Sequence, residues 1–317
     1  MAYNNIISVC VITYNSSATI LETLESVKNQ TYQNLELVIS DDASKDDTVE
    51  ICTQWLEKNV GRFVCSLIIT SPKNTGTVNN LNRGVEQCRG EWIRCIAGDD
   101  AFGENFFQDL SVYLDNPEYN FINVPLSVYQ GTFEEKNHVY DYDCTGCRFF
   151  DESTDAALQH KILLRCPIPG TGFVVRKSVY DKVGLYDPQY PFFEDRPFSV
   201  RVTDAGIKLH FVPCFGMKYR LSGASIEMRK KEILSRYHRD SYRFQRDVVY
   251  NEVGFLEKLL ICIRLGIIYK SFKENRNQLT DKIEKKLTRV DKINRVVSHI
   301  VSYKFYSYLK GMQKMLK

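Results

Sequence analysis

No stretch of this 317-residue chain reaches 18 uninterrupted apolar residues, so the sequence holds no candidate for a membrane-spanning helix. The opening MAYNNIISVCVITYN lacks the basic start and long apolar core of a secretory signal. No G-x-G-x-x-G follows the first apolar run, which argues against an ordinary dinucleotide fold, and no G-x-x-x-x-G-K-[ST] occurs, which excludes a P-loop. Ten cysteines are present, but without a framework. Only Cys144 and Cys147 form a C-x-x-C, and no second pair completes a zinc site, so the cysteines read as reduced thiols of a cytosolic protein.

The 44% hydrophobic and 26% charged content is that of a globular protein of one large domain, or a domain with an appendage. The net charge of +3 conceals an asymmetry. Residues 227–317 carry 22 Lys and Arg against 10 Asp and Glu, a net +12, whereas residues 1–226 carry 20 against 29, a net −9. An acidic body with a basic tail points to an anionic partner for the tail.

The first 125 residues alternate between strand and helix patterns. Apolar, β-branched runs at 6–13, 35–40, 63–70 and 91–97 predict strands buried on both faces. Between them, 17–29 (capped by Ser16 or Ser17, with Ile20, Leu21, Leu24 and Val27 on one face), 47–58 (opened by Asp46 or Asp47) and 77–88 predict helices. That order implies a mainly parallel sheet with right-handed crossovers. Residues 126–170 read as irregular strands and loops. A helix is expected at about 176–183, another after Glu194 and Asp195 ending at Gly206, a strand pair in 208–221, and long helices from 227 on.

In such sheets ligands lie outside the carboxyl ends of the strands. The residues there are Thr13-Tyr14-Asn15, Asp41-Asp42, Lys73-Asn74-Thr75-Gly76 and Asp99-Asp100. Two adjacent carboxylates repel one another unless a positive charge lies beside them. Asp99 and Asp100 are therefore either a simple turn with one Asp capping the next helix, or the edge that holds a metal ion.

Four stretches carry a resemblance. They are "ISVCVITYNSSATILETLESVKNQTYQNLELVISDDASKDDT", "NTGTVNNLNRGVEQCRGEWIRCIAGDD", "GTGFVVRKSVYDKVGLYD" and "FFEDRPF". In order and spacing, residues 6 to about 225 resemble the inverting glycosyltransferases of family 2, which adopt the GT-A fold. The resemblance implies a Rossmann-like α/β domain over 1–226, with a nucleotide-sugar half (1–125), an acceptor half (126–226), and a basic helical region at 227–317. It also implies a UDP-sugar donor, an acceptor hydroxyl, and Mn²⁺ or Mg²⁺.

The family's Asp-x-Asp is altered here, because its first acidic position is Ala97. The resemblance places the metal on Asp100, with Asp99 shared between metal and ribose. It places the nucleotide against Thr13, Tyr14, Asn15, Asn74, Gly76 and Asn82, with Asp42 accepting from the imide of the base. Asp195 corresponds to the general base and Glu194 lies beside it on the acceptor side, with Gly170, Thr171 and Gly172 approaching the acceptor sugar. "KYRLSGAS" (218–225) resembles the closing loop but lacks its usual His, leaving Lys218 or Arg220 to reach the diphosphate. Asp195 as a helix N-cap is the structural alternative.

The tail segments 254–272 and 281–317 combine Lys and Arg with apolar and aromatic residues. Such helices suit an anionic membrane surface, with a packing element or homodimer arm as the alternative, and no nucleic-acid motif accompanies the charge. The expectation is a cytoplasmic enzyme, peripheral at the inner face of a bacterial cell membrane, building surface polysaccharide such as O-antigen or capsule on a lipid-diphosphate-linked acceptor. The alternatives are a transferase for a protein or soluble glycan, and an inactive sugar-nucleotide or polysaccharide-binding module.

Overall fold

The computed structural model describes residues 5–142, 154–165, 168–221 and 236–275, with short pieces between 285 and 293. Cys144 and Cys147, residues 222–225 and most of 281–317 lie outside the described residues. The chain forms two compact units, one of residues 1–160 and 168–223, the other of 161–167 and 224–317.

The first unit is built on seven strands: β1 (Ile7–Thr13), β2 (Leu35–Asp41), β3 (Cys65–Thr70), β4 (Trp92–Ala97), β6 (Phe121–Asn123), β9 (Phe173–Arg176) and β10 (Leu209–Phe211). Their order is β10-β6-β9-β4-β1-β2-β3. Strands β1 to β4 are parallel, and β9 runs antiparallel to both β4 and β6. A second sheet has the order β5-β11-β7-β8, from Ala101–Phe102, Met217–Leu221, Leu126–Gln130 and His138–Tyr142.

Between the parallel strands lie α1 (Ile20–Lys28), α2 (Thr48–Asn59) and α3 (Thr77–Gln87). The chain moves outward from β1 to β2 and β3, then returns through α3 to place β4 on the other side of β1. The strand order thus reverses between β1 and β4, and a crevice opens where these two strands end. β1 is central, and Ile7, Val9, Cys10 and Val11 are fully buried, as a strand covered on both faces requires.

Helix α1 is shorter than the sequence pattern suggests. It starts at Ile20 with Thr19 in the cap position and no side-chain cap bond; Ser16 contributes its main-chain oxygen, and the Ser17 N–H goes to Asp46. Its buried face is Ile20, Thr23, Leu24 and Val27, while Leu21 is 49% exposed because it falls one residue off the i, i+3, i+4, i+7 stripe. Truncating Leu24 to Ala in this core would cost about 2–5 kcal/mol. At α2 the cap position is Asp47, but the bonding group is the neighbouring Asp46, whose carboxylate accepts from the Thr48 N–H and hydroxyl.

The described parts of 126–163 are more regular than expected, forming β7, β8 and helix α5 (Ala156–Leu163). Two strands do lie in 208–221, but they do not pair with each other: β10 (Leu209–Phe211) joins β6 in the first sheet and β11 (Met217–Leu221) joins β5 and β7 in the second. Helices α4 (Phe106–Leu114), α6 (Lys177–Val183) and α7 (Asp195–Asp204) complete this unit. The second unit contains α8 (Arg236–Phe244), running through a π-helical turn into α9 (Tyr250–Glu252), and α10 (Phe255–Asn275). Cys10, Cys52, Cys65, Cys88, Cys95, Cys214 and Cys262 are free thiols.

Candidate active site

Strands β1, β2 and β4 end together, with Thr13 opposite Asp41 and Ile12 opposite Ala97. Thr13 is buried, and its main-chain oxygen accepts from the Asp42 N–H (3.0 Å) and the Asn80 side chain (3.2 Å). Its hydroxyl has no partner among the described residues. Tyr14 is 45% exposed, so its ring is free to stack. Asn15 has φ 52°, a left-handed turn that lets its side chain accept from the Lys45 N–H at 2.7 Å and its own N–H reach Ser44 at 2.8 Å.

Asp42 is 2% exposed and its carboxylate is fully engaged. One oxygen accepts from the Thr75 and Gly76 N–H groups (2.8 and 2.7 Å), the other from the Thr75 hydroxyl (2.6 Å) and Arg83 Nη2 (3.0 Å). A carboxylate offers about four acceptor positions, so a ring imide would have to displace one of these donors. Arg83, on α3, was not singled out from the sequence. It also donates to the Asp41 carbonyl and the Asn80 side chain, and tethers the end of β2 to α3. Asn74 accepts from the Gly76 N–H, and Gly76 has φ 88°, a conformation suited to glycine. The Asn82 amide is spent on Tyr186, bonding its N–H at 3.0 Å and its C=O at 2.8 Å.

After β4 the chain turns tightly against β1. Gly98 allows this: a Cβ there would lie 3.0 Å from Ile20 and 3.1 Å from the Thr13 hydroxyl. The turn is tied down by Thr19 bonding the Gly98 carbonyl (2.8 Å) and Thr23 bonding the Asp100 carbonyl (2.7 Å). Asp100 is 2% exposed, with one oxygen accepting from the Arg220 N–H at 2.9 Å. Burial, and then the charge of Asp99, push the Asp100 carboxyl well above the usual range; burial also raises Asp99. The Arg220 guanidinium, through its charge, opposes the rise at both carboxyls without cancelling it. It is consumed by the Asp99 carbonyl (2.6 Å), the Gly131 carbonyl and Glu22, and it stacks on Phe133. Arg220 is therefore a clamp under the turn.

This donor set fits a hard divalent cation. The two adjacent carboxylates keep a raised proton affinity even though the charge of Arg220 acts on both and that of Arg94 on Asp100, and among the described residues no group of three or more Asp, Glu, His or Cys could hold a metal alone. Mg²⁺ and Mn²⁺ sites that complete their shell with phosphate and water have this character.

Asp195 is the first residue of α7, with Glu194 in the cap position, so it does not act as the N-cap. Its Oδ2 accepts from the Gly170 N–H at 3.0 Å. Burial pushes its carboxyl up to about 6, with the Gly170 N–H opposing the rise. The Gly170–Gly172 turn fits only glycine at both ends. A Cβ on Gly170 would lie 1.8 Å from Asp195 Oδ1, and one on Gly172 would lie 2.5 Å from the Val124 carbonyl. Thr171 is half-buried between them, and Glu194 is half-buried beside Asp195.

Residues 8–184, more than half of the chain, match the sequence profile of glycosyl transferase family 2. The chain belongs to that family. As a family 2 glycosyltransferase it is 26% identical over 296 residues to glycosyltransferase GlyG of Streptococcus pneumoniae, covering 89% of this chain and 93% of GlyG. Its fold is that of S. aureus TarS solved with UDP-GlcNAc (TM-score 0.60, 15% identity, 90% of this chain and 79% of the TarS chain). It also matches GalNAc-T7 solved with UDP, GalNAc and Mn²⁺ (TM-score 0.60, 16% identity, 90% of this chain and 57% of that one). The mixed α/β architecture of this glycosyltransferase is the GT-A fold.

Proposed function

We propose that this glycosyltransferase moves a sugar from a UDP-sugar to a hydroxyl of a glycan acceptor with inversion at the anomeric carbon. The observation that carries this reading is Asp195: a carboxylate with proton affinity raised to about 6, held by one N–H, in the same unit as the buried Asp99–Asp100 pair. A base poised near neutral pH can take the acceptor proton as the hydroxyl attacks. Asp100 and Asp99 would hold Mn²⁺ or Mg²⁺, which when bound neutralises charge on the leaving diphosphate. Thr13, Tyr14, Asn15, Asp42, Asn74 and Gly76 line the nucleotide side; Asn82 supports it through Tyr186. Gly170, Thr171, Gly172 and Glu194 face the acceptor.

The acceptor is a lipid-diphosphate-linked glycan of surface-polysaccharide assembly, reached at an anionic membrane surface. Supporting this, α10 exposes Phe255 (83%), Leu256, Leu259, Cys262 and Ile263, while Ile267 is partly covered. Among the described residues no helix is long and apolar enough to cross a membrane. An apolar stripe within a region of net +12 suits adsorption to anionic lipid. The test is UDP release from a panel of UDP-sugars with Mn²⁺, with and without lipid-linked acceptor, and the anomeric form of the product. A β linkage from an α-linked donor supports the reading. An α linkage, or Asp195→Asn turning over like wild type, overturns it.

A further inference from the structure

Arg94 lies in the middle of β4 and is 1% exposed. Trp92 and Ile96, two residues to either side on the same strand face, are buried hydrophobics, so an apolar residue is the physical default at position 94. Burying a guanidinium is costly unless its donors are satisfied, and the charge of Asp100 acts on this one without a hydrogen bond between them. Its two Nη nitrogens donate to main-chain oxygens, while Nε has no partner among the described residues. Nη1 bonds the Cys95 carbonyl (2.7 Å) and the Phe173 carbonyl (3.2 Å), and Nη2 bonds the Thr171 carbonyl. Burial lowers its proton affinity only to about 10, so it stays charged at neutral pH.

The location explains the expense. β4 and β9 pair over two residues only, Trp92 with Arg176 and Ile93 with Val175. Beyond that point the strands part, and the guanidinium spans the gap. One nitrogen bridges a carbonyl of β4 to a carbonyl of β9, and the other holds the middle of the Gly170–Gly172 turn. The flanks of that turn are held by other groups, Asn123 on the Pro169 carbonyl and the Val124 N–H on the Gly172 carbonyl. The same turn carries the N–H that bonds Asp195, and Gly170 packs directly against the Asp195 carboxylate. A displacement of the turn must therefore displace that carboxylate.

We infer that Arg94 is a positioning residue of the transfer reaction, locking the turn under Asp195 to the strand that delivers Asp99 and Asp100. This rests on Asp195 being the base. Single displacement requires acceptor oxygen, anomeric carbon and leaving oxygen in line, and a misplacement of about 1 Å can cost about 10²-fold in rate. Arg94 sets that alignment without touching substrate.

The experiment uses the full chain with Mn²⁺ and whichever of UDP-glucose, UDP-galactose, UDP-GlcNAc or UDP-GalNAc gives the largest thermal shift. UDP release to water is followed in Arg94→Met, Arg94→Lys and Asp195→Asn. Arg94→Met should lower kcat about 100-fold with donor KM within about threefold. Arg94→Lys, which keeps the charge and can reach one carbonyl, should lose only about tenfold, a partial rescue. If Asp195→Asn keeps its turnover, the assignment of the base fails. If Asp195→Asn is inactive while both Arg94 variants turn over like wild type, only the present inference fails. Equal losses in kcat and donor affinity, or failure of both Arg94 variants to fold, would make Arg94 a core residue and also overturn it.

Discussion

Gly170 donates its main-chain N–H to Asp195 Oδ2 at 3.0 Å, and a Cβ on the same glycine would come within 1.8 Å of the other carboxylate oxygen. Asp195 and the turn beneath it are thus in direct contact, with no room for a side chain between them. Gly170→Ala must push the Asp195 carboxylate aside. Turnover should fall about 10²-fold with UDP-sugar affinity nearly intact, as read by steady-state kinetics and isothermal titration.

Asp195 supplies the pH dependence. Burial pushes its carboxyl up to about 6, and as the proposed base it must be ionised to accept a proton. The kcat profile should therefore show an acid limb centred near pH 6, falling as pH drops below it. Asp195→Asn should lower turnover by about 10²–10⁴ and remove that limb.

The same shift predicts an effect on stability. The folded-state value lies above the ordinary 3.8, so the protonated form is favoured by folding. Its contribution is fully present below pH 4 and is lost as pH rises through about 6. Asp195→Asn, which cannot ionise, should raise the Tm at pH 7–8 relative to wild type and leave it unchanged at pH 4.

Metal binding should depend on pH in the opposite sense. Asp100 and Asp99 are held above the usual carboxylate range by burial and, at Asp100, by the charge of Asp99, so protons compete with a cation for them. Affinity for Mn²⁺ in the presence of UDP should rise with pH. Asp100→Ala or EDTA should abolish the Mn²⁺-dependent thermal shift given by UDP-sugar while the protein stays folded.

The exposed stripe on α10 makes a prediction for the whole chain. Wild type should sediment with phosphatidylserine-containing vesicles at low salt and be released as salt rises. Leu259→Glu and Ile263→Glu, both at exposed positions, should weaken that binding without lowering UDP release in solution. Unchanged sedimentation would assign the helix to packing or dimer formation.

The parallel half of this protein is legible in its sequence because its signals are local. Apolar runs with polar ends mark β1, β2 and β4, and in a parallel sheet those ends are where ligands bind, so Thr13, Asp42, Asp99 and Asp100 can be named before any coordinates. The family motifs likewise mark Asp195 and the Gly170–Gly172 turn. What the sequence could not reveal depends on contacts between distant segments. The pattern at 208–221 contains two strands, but only tertiary pairing sends β10 to one sheet and β11 to the other. Asn82 matches a nucleotide-side position, yet the fold turns its amide to Tyr186, 104 residues away. Arg94 reads as an ordinary charge in a strand pattern, and Arg220 as one of two residues that could reach the diphosphate. Only the packed structure shows that one spans the gap between β4 and β9 and the other clamps the Asp99–Asp100 turn. The physical reason is that a guanidinium's role is set by which carbonyls lie within hydrogen-bond reach, and those carbonyls come from segments whose proximity exists only after folding.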